Sequence, residues 1–382
     1  MPYKYCQVTA LLLTPAKNPL ISFNKNPQAP LDLALPPSPS ATTPPTYFSQ
    51  NLIQAAISSF PHGSGAGPER LRPQHYLKDC ISISAGDAST SLLTSLTEFV
   101  NHLTNGHLPT ALRPFLYGAQ LHGLRKNNGD LRPIAVGCTY QRLVAKVCLR
   151  PYISRLRELL QPSQLGVGTP RGCEDAVHAT RSFMAQTQGE KVILKLDVKN
   201  AFNSIRWDTV LQTAQTHLPE IYPFIWDCYS SKTSFFHGEF CLDSATGVQQ
   251  GDPLGLALFA LAIHGVTSEV KSDPNIWYLD DGCIGGDPQT VLSNAAIIRN
   301  VLFSVGLEMN NSKCELLIVN NTTSQERSQT TKLFQDVFPS ILIPAPNLWQ
   351  LLGSPLHQDS TPLHLEAKTK MLDYIIENLE LI

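Results

Sequence analysis

Two stretches of the sequence place acidic residues where a metal-dependent reaction could use them. In "LKLDVKNAF", a short apolar run typical of a strand buried on both faces ends at Asp197. In "NIWYLDDGCIGGD", Asp280 and Asp281 stand side by side at the tip of a predicted β-hairpin. A carboxylate at the end of a buried strand is costly unless it is paired or bound to a metal ion.

Three acids brought together at neighbouring strand ends would repel one another and raise one another's pKa values. Divalent cations with oxygen ligands would remove this repulsion. Mg²⁺ prefers one or two carboxylates plus substrate phosphates, and two ions about 3.5–4 Å apart suit phosphoryl transfer. Each acid also has a structural explanation, because Asp-Gly is a strong hairpin-turn signal and Asp197 could cap the segment that follows it.

Length and composition define the setting for these residues. The 382 residues, 42% hydrophobic and 16% charged, predict one large domain or two intertwined ones with a substantial core. No apolar run approaches the roughly 18 residues of a membrane span, and none near the N-terminus is long enough for a secretory signal. The nine scattered cysteines contain no Cys-x-x-Cys pair, which favours reduced thiols and an intracellular protein, with nucleus and cytoplasm both open.

The net charge of −2 conceals a strongly uneven distribution. Between Arg113 and Arg157 the only acidic residue is Asp130, whereas acids outnumber bases from Arg299 onward. Such a basic block could bind the phosphates of a nucleic acid. A solvated helix face explains the same composition equally well.

The pattern of elements along the chain predicts an α+β fold. A tail rich in Pro, Ser and Thr, residues 1–48, is expected to be disordered. A buried helix is expected after "QQGDPL", with Asp252 as its N-cap. Strands are expected on both sides of "NNGD", in "KVILKL", around Trp277, at 315–319 and in "WQLLGSPL", and helices at 51–60, 89–103, 142–160, 172–186 and 288–305.

Several of these segments together resemble one family. The stretches "LRPIAVGCTYQRLVAK", "KLDVKNAFNSI", "GVQQGDPLG", "YLDD", "GLEMNNSKCELL" and "LLGSPL" come in the order and spacing of reverse transcriptase motifs, over residues 63 to 356. The "QGDPL" stretch is typical of the reverse transcriptase domain of non-LTR (LINE-type) retrotransposons. The resemblance implies right-hand polymerase fingers and palm, with helices packed on an antiparallel palm sheet. It implies a tail at 1–48, fingers at 49–190, a palm at 191–345, and a primer grip with the start of an incomplete thumb at 346–382.

The resemblance also assigns roles to the acidic residues. Asp197 and Asp280 would bind two Mg²⁺ or Mn²⁺ ions, with Asp281 as the second acid of the pair and the Val198 carbonyl as a further ligand. Lys313 matches a lysine placed near the leaving pyrophosphate, where it could donate a proton. A solvated lysine at the end of an element is the alternative.

Other matched residues would bind the nucleotide. Phe202 would lie under the incoming sugar and exclude a 2′-hydroxyl, the group that distinguishes RNA from DNA precursors, although core packing could also explain it. Gln250 and Gly251 match the turn that touches the nucleotide, where glycine permits close backbone approach. The triphosphate would be bound by basic residues of the fingers hairpin, since a guanidinium can hold two phosphate oxygens: Arg132, with Arg125 or Lys126.

The implied function is an RNA-directed DNA polymerase that acts on an RNA template, a DNA primer and dNTPs. Leu279 departs from the alanine more common at this position in the lineage. The C-terminal segment "EAKTKMLDYIIENLELI" predicts an amphipathic helix whose apolar face should pack against a thumb domain. No nuclease segment is recognised, so a nuclease activity would have to come from elsewhere. The alternatives are a catalytically inactive, truncated retrotransposon remnant that only binds nucleic acid, and an unrelated two-metal phosphotransferase.

Overall fold

The computed structural model describes residues 35–40, 42–81, 86–125, 131–186, 189–249, 251–319 and 323–379. Its helices and strands form the predicted α+β arrangement. The helices are α1 (Gln50–Ser58), α2 (Gly86–Thr104), α3 (Arg113–Leu116), α4 (Thr139–Leu149), α5 (Ile153–Leu160), α6 (Gly172–Ala185), α7 (Ala201–Ser204), α8 (Trp207–His217), α9 (Tyr222–Tyr229), α10 (Gly255–Ala262), α11 (His264–Ser268), α12 (Pro288–Ser304), α13 (Ser324–Val337) and α14 (Thr361–Leu379). The strands are β1 (Ala119–Arg125), β2 (Leu131–Gly137), β3 (Val192–Leu196), β4 (Thr233–His237), β5 (Phe240–Ser244), β6 (Asn275–Tyr278), β7 (Asp281–Gly286), β8 (Glu315–Ile318), β9 (Gln350–Leu351) and β10 (Ser354–Pro355).

The chain divides into two compact units, and each unit contains two separate stretches of sequence. The first unit contains the described residues up to Leu156 together with those of Asn200–Ala262. The second contains Arg157–Lys199 together with the chain from Ile263 onward. The expected boundary between residues 190 and 191 does not coincide with this division, because α6 shares an apolar core with the sheet that contains β3 and therefore belongs to the second unit.

The first unit is built around a four-stranded sheet in the order β2-β1-β4-β5. Strands β1 and β2 form the predicted hairpin, paired from Ala119 opposite Gly137 to Arg125 opposite Leu131. Strand β4 adds to β1 in parallel and pairs antiparallel with β5, a hairpin that the sequence analysis did not anticipate. Buried Leu121, Ala135 and Phe235 form the apolar core on this sheet.

Two expectations for the first unit need correction. The helix expected over residues 142–160 is broken into α4 and α5 by a 3₁₀ turn at Arg150–Tyr152, because Pro151 lacks an N–H and clashes with the preceding turn. The tail expected to be disordered up to residue 48 makes specific contacts near its end. The Tyr222 hydroxyl donates to the Pro37 carbonyl at 2.9 Å, and the side chain of Phe48 is buried.

The second unit is built around a four-stranded antiparallel sheet in the order β6-β7-β3-β8. Strand β3 lies in its interior and is almost entirely buried, as its apolar sequence predicts. Helix α12 packs on β3 and β7, and residues of α6 and the sheet share a core that includes Ala176, Ile193 and Leu317. This packing fixes the ends of β3 and of the β6–β7 hairpin.

The last helix, α14, matches the predicted amphipathic segment, and much of its apolar surface is exposed. Among its exposed residues are Leu365, Met371, Leu372 and Tyr374. No helix in the described part of the chain is long and apolar enough to cross a membrane.

Candidate active site

The β3 strand and the β6–β7 hairpin bring the three predicted acids to one end of the second sheet. The last paired residues of β3 and β7 are Leu196 and Gly282, so the next residues in each direction are Asp197 and Asp281. Tyr278 pairs with Asp281, which leaves Leu279 and Asp280 as a two-residue turn. The register of a single sheet therefore places all three carboxylates at the same edge.

Asp281 has a raised pKa, and the charge of Asp197 is one of the causes. Asp281 has exposed surface, but the protein atoms around its carboxylate remove part of the surrounding water. This partial desolvation is the main cause of the raised pKa of Asp281. The negative charge of Asp197 raises the same pKa further, whereas Lys195 acts in the opposite direction. Lys195 itself pairs with Glu315 at 2.7 Å, so its charge is shared with another carboxylate. A cation from outside the chain would relieve this crowding.

The segment between α12 and β8 holds Asp197 in place. The side-chain amide of Asn310 donates to Oδ2 of Asp197 at 2.9 Å, and the Asn310 backbone N–H donates to the Asp197 carbonyl at 2.8 Å. The backbone N–H of Asp197 points to Sγ of Cys314 at 3.5 Å. Burial raises the pKa of Cys314 to about 11, so its thiol stays neutral beside the carboxylate at neutral pH. Neither residue was singled out from the sequence, although both lie within the recognised "GLEMNNSKCELL" stretch.

The same pairing positions Val198 and Lys313. Val198 bridges Met309 in antiparallel fashion through bonds from Lys199 N to Glu308 O and from Asn310 N to Asp197 O. Neither bond uses the Val198 carbonyl. Lys313 is exposed in the turn between Asn310 and Cys314, and its backbone N–H donates to Asn310 O at 2.9 Å. The segment that holds Asp197 therefore also carries the predicted lysine.

The turn between β6 and β7 is held by a residue that the sequence analysis did not identify. Leu279 has a φ of 57°, a left-handed conformation that non-glycine residues seldom adopt. The fully buried side chain of Gln164 bonds to both the N–H and the carbonyl of Leu279. A glutamine in a loop carries no sequence signal for such a role.

Two residues expected at the nucleotide lie in the first unit. Phe202 is half-buried and its ring packs on Phe259, with ring centroids 4.5 Å apart, so its core-packing role is observed. The Val248 N–H donates to the Phe202 carbonyl at 2.6 Å, which ties the segment leading to Gly251 to this phenylalanine. Gly251 is exposed, with a φ of 98° and open space where a Cβ would lie. This conformation favours glycine.

Two further expected nucleotide contacts, Arg125 and Arg132, lie on the β1–β2 hairpin. Arg125 is the last residue of β1, and Arg132 is the second residue of β2, opposite Leu124. Lys126 and Gln250 lie outside the described residues.

Several arginines of the basic block form ion pairs or hydrogen bonds within the first unit. Arg113 pairs with the buried Asp227 at 2.7 Å, and Arg155 forms two bonds to Glu220, at 2.7 and 2.9 Å. Arg142 is only 8% exposed and donates to the Gly65 carbonyl at 2.6 Å. Arg113 and Arg142 therefore have partners inside the first unit, whereas Arg155 and Arg150 are exposed, and binding of nucleic acid by the block stays a prediction.

The donor set at the end of the second sheet fits a divalent cation that takes part of its coordination from substrate. Within the described ranges, no group of three His, Cys, Asp or Glu side chains forms a complete metal site. Asp197 and Asp281 form no salt bridge with any described basic residue. Two adjacent carboxylates with open coordination are what Mg²⁺ uses when phosphates supply the other ligands.

Comparison with known proteins agrees with this geometry. Residues 124–355 match the family model described as "Reverse transcriptase (RNA-dependent DNA polymerase)". The chain belongs to the reverse transcriptase family. It is also 24% identical over 246 residues to the "Retrotransposable element SLACS 132 kDa protein" of Trypanosoma brucei gambiense, an alignment that covers 61% of this chain. The alignment covers 20% of that relative's length. The predicted resemblance to reverse transcriptases of non-LTR retrotransposons is confirmed.

Proposed function

We propose that this chain is an RNA-directed DNA polymerase that adds deoxynucleotides to a primer 3′ end with the help of two divalent metal ions. The observation that carries the proposal is the meeting of Asp197 with the Asp280–Asp281 turn at one end of the second sheet. The family match supports the same reaction class. We expect the chain to act inside the cell, in the nucleus or the cytoplasm.

The proposed metal ligands are the carboxylates of Asp197, Asp280 and Asp281, with the Val198 carbonyl as a further oxygen donor. When bound, Mg²⁺ or Mn²⁺ would lower the pKa of the primer hydroxyl and stabilise charge on the leaving pyrophosphate. Asn310 holds Asp197 in a fixed orientation for this purpose. Lys313 would donate a proton to the leaving group.

The first unit would bind the incoming dNTP and the template. Arg132, with Arg125 or Lys126, would bind the triphosphate, and Gln250 and Gly251 would touch the nucleotide. Template sequence would be read by base pairing, so the protein needs only contacts to the nucleic-acid backbone. The exposed members of the basic block, such as Arg150, are candidates for these contacts.

Primer extension tests the proposal directly. The purified chain is mixed with an RNA template, an annealed DNA primer, dNTPs and Mg²⁺ or Mn²⁺, and product length is followed on a gel. We expect extension by the wild type and none by Asp280→Asn. The matched control is Asp287→Asn, which replaces an exposed acid just after β7 that caps α12. Because asparagine caps a helix equally well, this variant should fold and extend the primer like the wild type. Nucleic-acid binding without extension by the wild type would instead favour the inactive remnant.

Sugar selectivity tests the proposed role of Phe202. The smaller side chain of Phe202→Val should admit ribonucleotides, and overpacking of about 1–3 kcal/mol corresponds to roughly five- to one-hundred-and-fifty-fold discrimination. The ratio of ribonucleotide to deoxyribonucleotide incorporation measures it. Because Phe202 also packs on Phe259, the variant's melting temperature must be recorded alongside. An unchanged ratio would leave Phe202 with a packing role only.

A further inference from the structure

The turn that carries Asp280 is held from the side by the short segment Ser163–Gly166. The Trp277 N–H donates to the Ser163 carbonyl at 2.7 Å, and the Leu165 N–H donates to the Trp277 carbonyl at 2.8 Å. Gln164 and Trp277 thus form a parallel bridge on the outer edge of β6. Trp277 is fully buried, so this bridge belongs to the rigid part of the unit.

From this bridge the side chain of Gln164 reaches Leu279 at the tip. Its Oε1 accepts from the Leu279 N–H at 2.7 Å, and its Nε2 donates to the Leu279 carbonyl at 3.1 Å. Oε1 also accepts from the Gly166 N–H at 3.0 Å, and the side chain has no exposed surface. One buried amide therefore satisfies both backbone groups of a residue in an unfavourable conformation. Buried amide bonds of this kind specify one geometry, because leaving any of these groups unpaired is costly.

We propose that Gln164 is a positioning residue for the metal-binding acids. By holding Leu279 in its left-handed conformation, it sets the path of the turn, and so the directions in which the Asp280 and Asp281 carboxylates point. The inference rests on the proposed function, because those carboxylates are the proposed metal ligands. Gln164 itself touches neither metal nor substrate.

Gly166 completes the same arrangement. A Cβ on Gly166 would lie 2.8 Å from the backbone nitrogen of Leu279 and 2.7 Å from its Cγ, closer than real atoms pack. Only glycine lets this segment approach the turn closely enough for the Gln164 amide to reach it. Replacing Gly166 therefore disturbs the turn by a different route, with Gln164 left in place.

The test measures Mn²⁺ affinity directly, by the loss of the free-ion EPR signal on titration into the full chain. The variant is Gln164→Leu, which keeps the bulk and removes all three bonds. Loss of an outer contact to metal ligands typically costs roughly 10- to 100-fold in affinity, and we expect a loss in this range. Hydrogen–deuterium exchange should rise in the peptide around residues 275–283. In primer extension, kcat should fall while KM for dNTP changes little.

The matched control is Gln161→Leu, the same substitution in the same loop. Gln161 is exposed, and its side-chain amide donates to the Thr169 hydroxyl at 3.2 Å. We expect wild-type Mn²⁺ affinity and exchange in this variant. A loss equal to that of Gln164→Leu would mean that the loop as a whole matters, and would overturn the specific role of Gln164.

Gly166→Ala keeps the inference testable if Gln164→Leu does not fold. The added methyl group should displace Leu279 and weaken Mn²⁺ binding in the same way. If Gln164→Leu folds and binds Mn²⁺ with wild-type affinity, the inference is overturned but the metal site is not. If Gln164→Leu is unfolded, wild-type Mn²⁺ affinity in Gly166→Ala has the same meaning. A wild-type chain that binds no Mn²⁺ would refute the proposed function and the inference together.

Discussion

Buried acids of the first unit and the acids at the end of the second sheet differ in which groups lie beside their carboxylates. Asp227 is 2% exposed and pairs with Arg113 at 2.7 Å. Asp252 is buried where the chain enters α10, and its Oδ1 accepts from the Leu254 N–H at 3.0 Å. Asp197 and Asp281, by contrast, crowd each other, and Asn310 gives Asp197 a neutral amide donor.

The difference separates acids that stabilise the fold from acids that await a ligand. Asp227 has a cation beside it although burial raises its pKa to about 7, and removing it would leave Arg113 without its partner. Burial likewise raises the pKa of Asp252, so its neutral form is favoured in the fold. Two acids placed against each other destabilise the fold until a cation from outside joins them. Functional sites commonly carry such unfavourable arrangements.

The largest expected effect is the loss of catalysis when an acid at the end of the second sheet is replaced. Asp197→Asn keeps the size of the side chain and removes its charge, so the melting temperature should change little. Metal ions stabilise transition-state charge by several kcal/mol, so primer extension should fall at least about hundredfold. Extension within a few-fold of the wild type would place Asp197 with the structural acids.

The next effect is on stability in the first unit. Asp227→Ala would leave the mostly buried Arg113 without its partner, and breaking a buried pair typically costs about 3–5 kcal/mol of unfolding free energy. Urea denaturation measures this loss. The double variant Asp227→Asn with Arg113→Met should recover part of the stability, because no charge is then left buried. Full stability in Asp227→Ala alone would contradict the assignment of this pair to the fold.

A pH-dependent effect is expected at Asp252. Burial raises its pKa to about 6, against an ordinary aspartate value of about 3.9, while bonds from the Leu254 and Gly255 N–H groups oppose the shift. The neutral form is therefore favoured in the fold, and the stability it contributes at pH 4 is lost as the pH rises through 6. Asp252→Asn should lack this loss, which amounts to about 3 kcal/mol at most. Parallel urea curves of both proteins from pH 4 to 7 test it, and identical pH dependence would refute it.

The smallest expected effect is an increase in the free energy of unfolding. In EDTA, Asp281→Asn removes a charge that Asp197 disfavours, so unfolding free energy should rise by about 0.5–1 kcal/mol. Added Mn²⁺ should then stabilise the wild type but not the variant. A variant that is less stable in EDTA would mean that Asp281 is compensated within the fold, like the acids of the first unit.

The sequence predicted the elements whose signal is local. The apolar run before Asp197 correctly predicted an interior strand, and the paired strands around "NNGD" form the expected hairpin. Convergence of Asp197 with the hairpin acids was expected from their places at neighbouring strand ends and from the family resemblance, and the strand register agrees with it. Pro151 was a breaker signal that the prediction overrode, and the helix breaks there.

Contacts between segments that are distant along the chain could not be predicted from a single sequence. Gln164 lies 115 residues before Leu279, and no periodicity links a loop glutamine to a hairpin turn. Asn310 and Cys314 were inside a recognised motif, but their contacts with Asp197 depend on the pairing of Val198 with Met309. The pairing of Arg113 and Arg155 could be recognised only once the positions of Asp227 and Glu220 were known.

Iron-directed cleavage of the chain tests the central claim most directly. Fe²⁺ bound at the carboxylates, with ascorbate and peroxide, generates radicals that cut the nearby backbone, and the fragments are mapped by mass spectrometry. The account predicts cuts close to residues 197 and 280 that excess Mg²⁺ suppresses and that Asp197→Asn abolishes. Cuts elsewhere, or the same cuts in Asp197→Asn, would contradict a cation site formed by these acids.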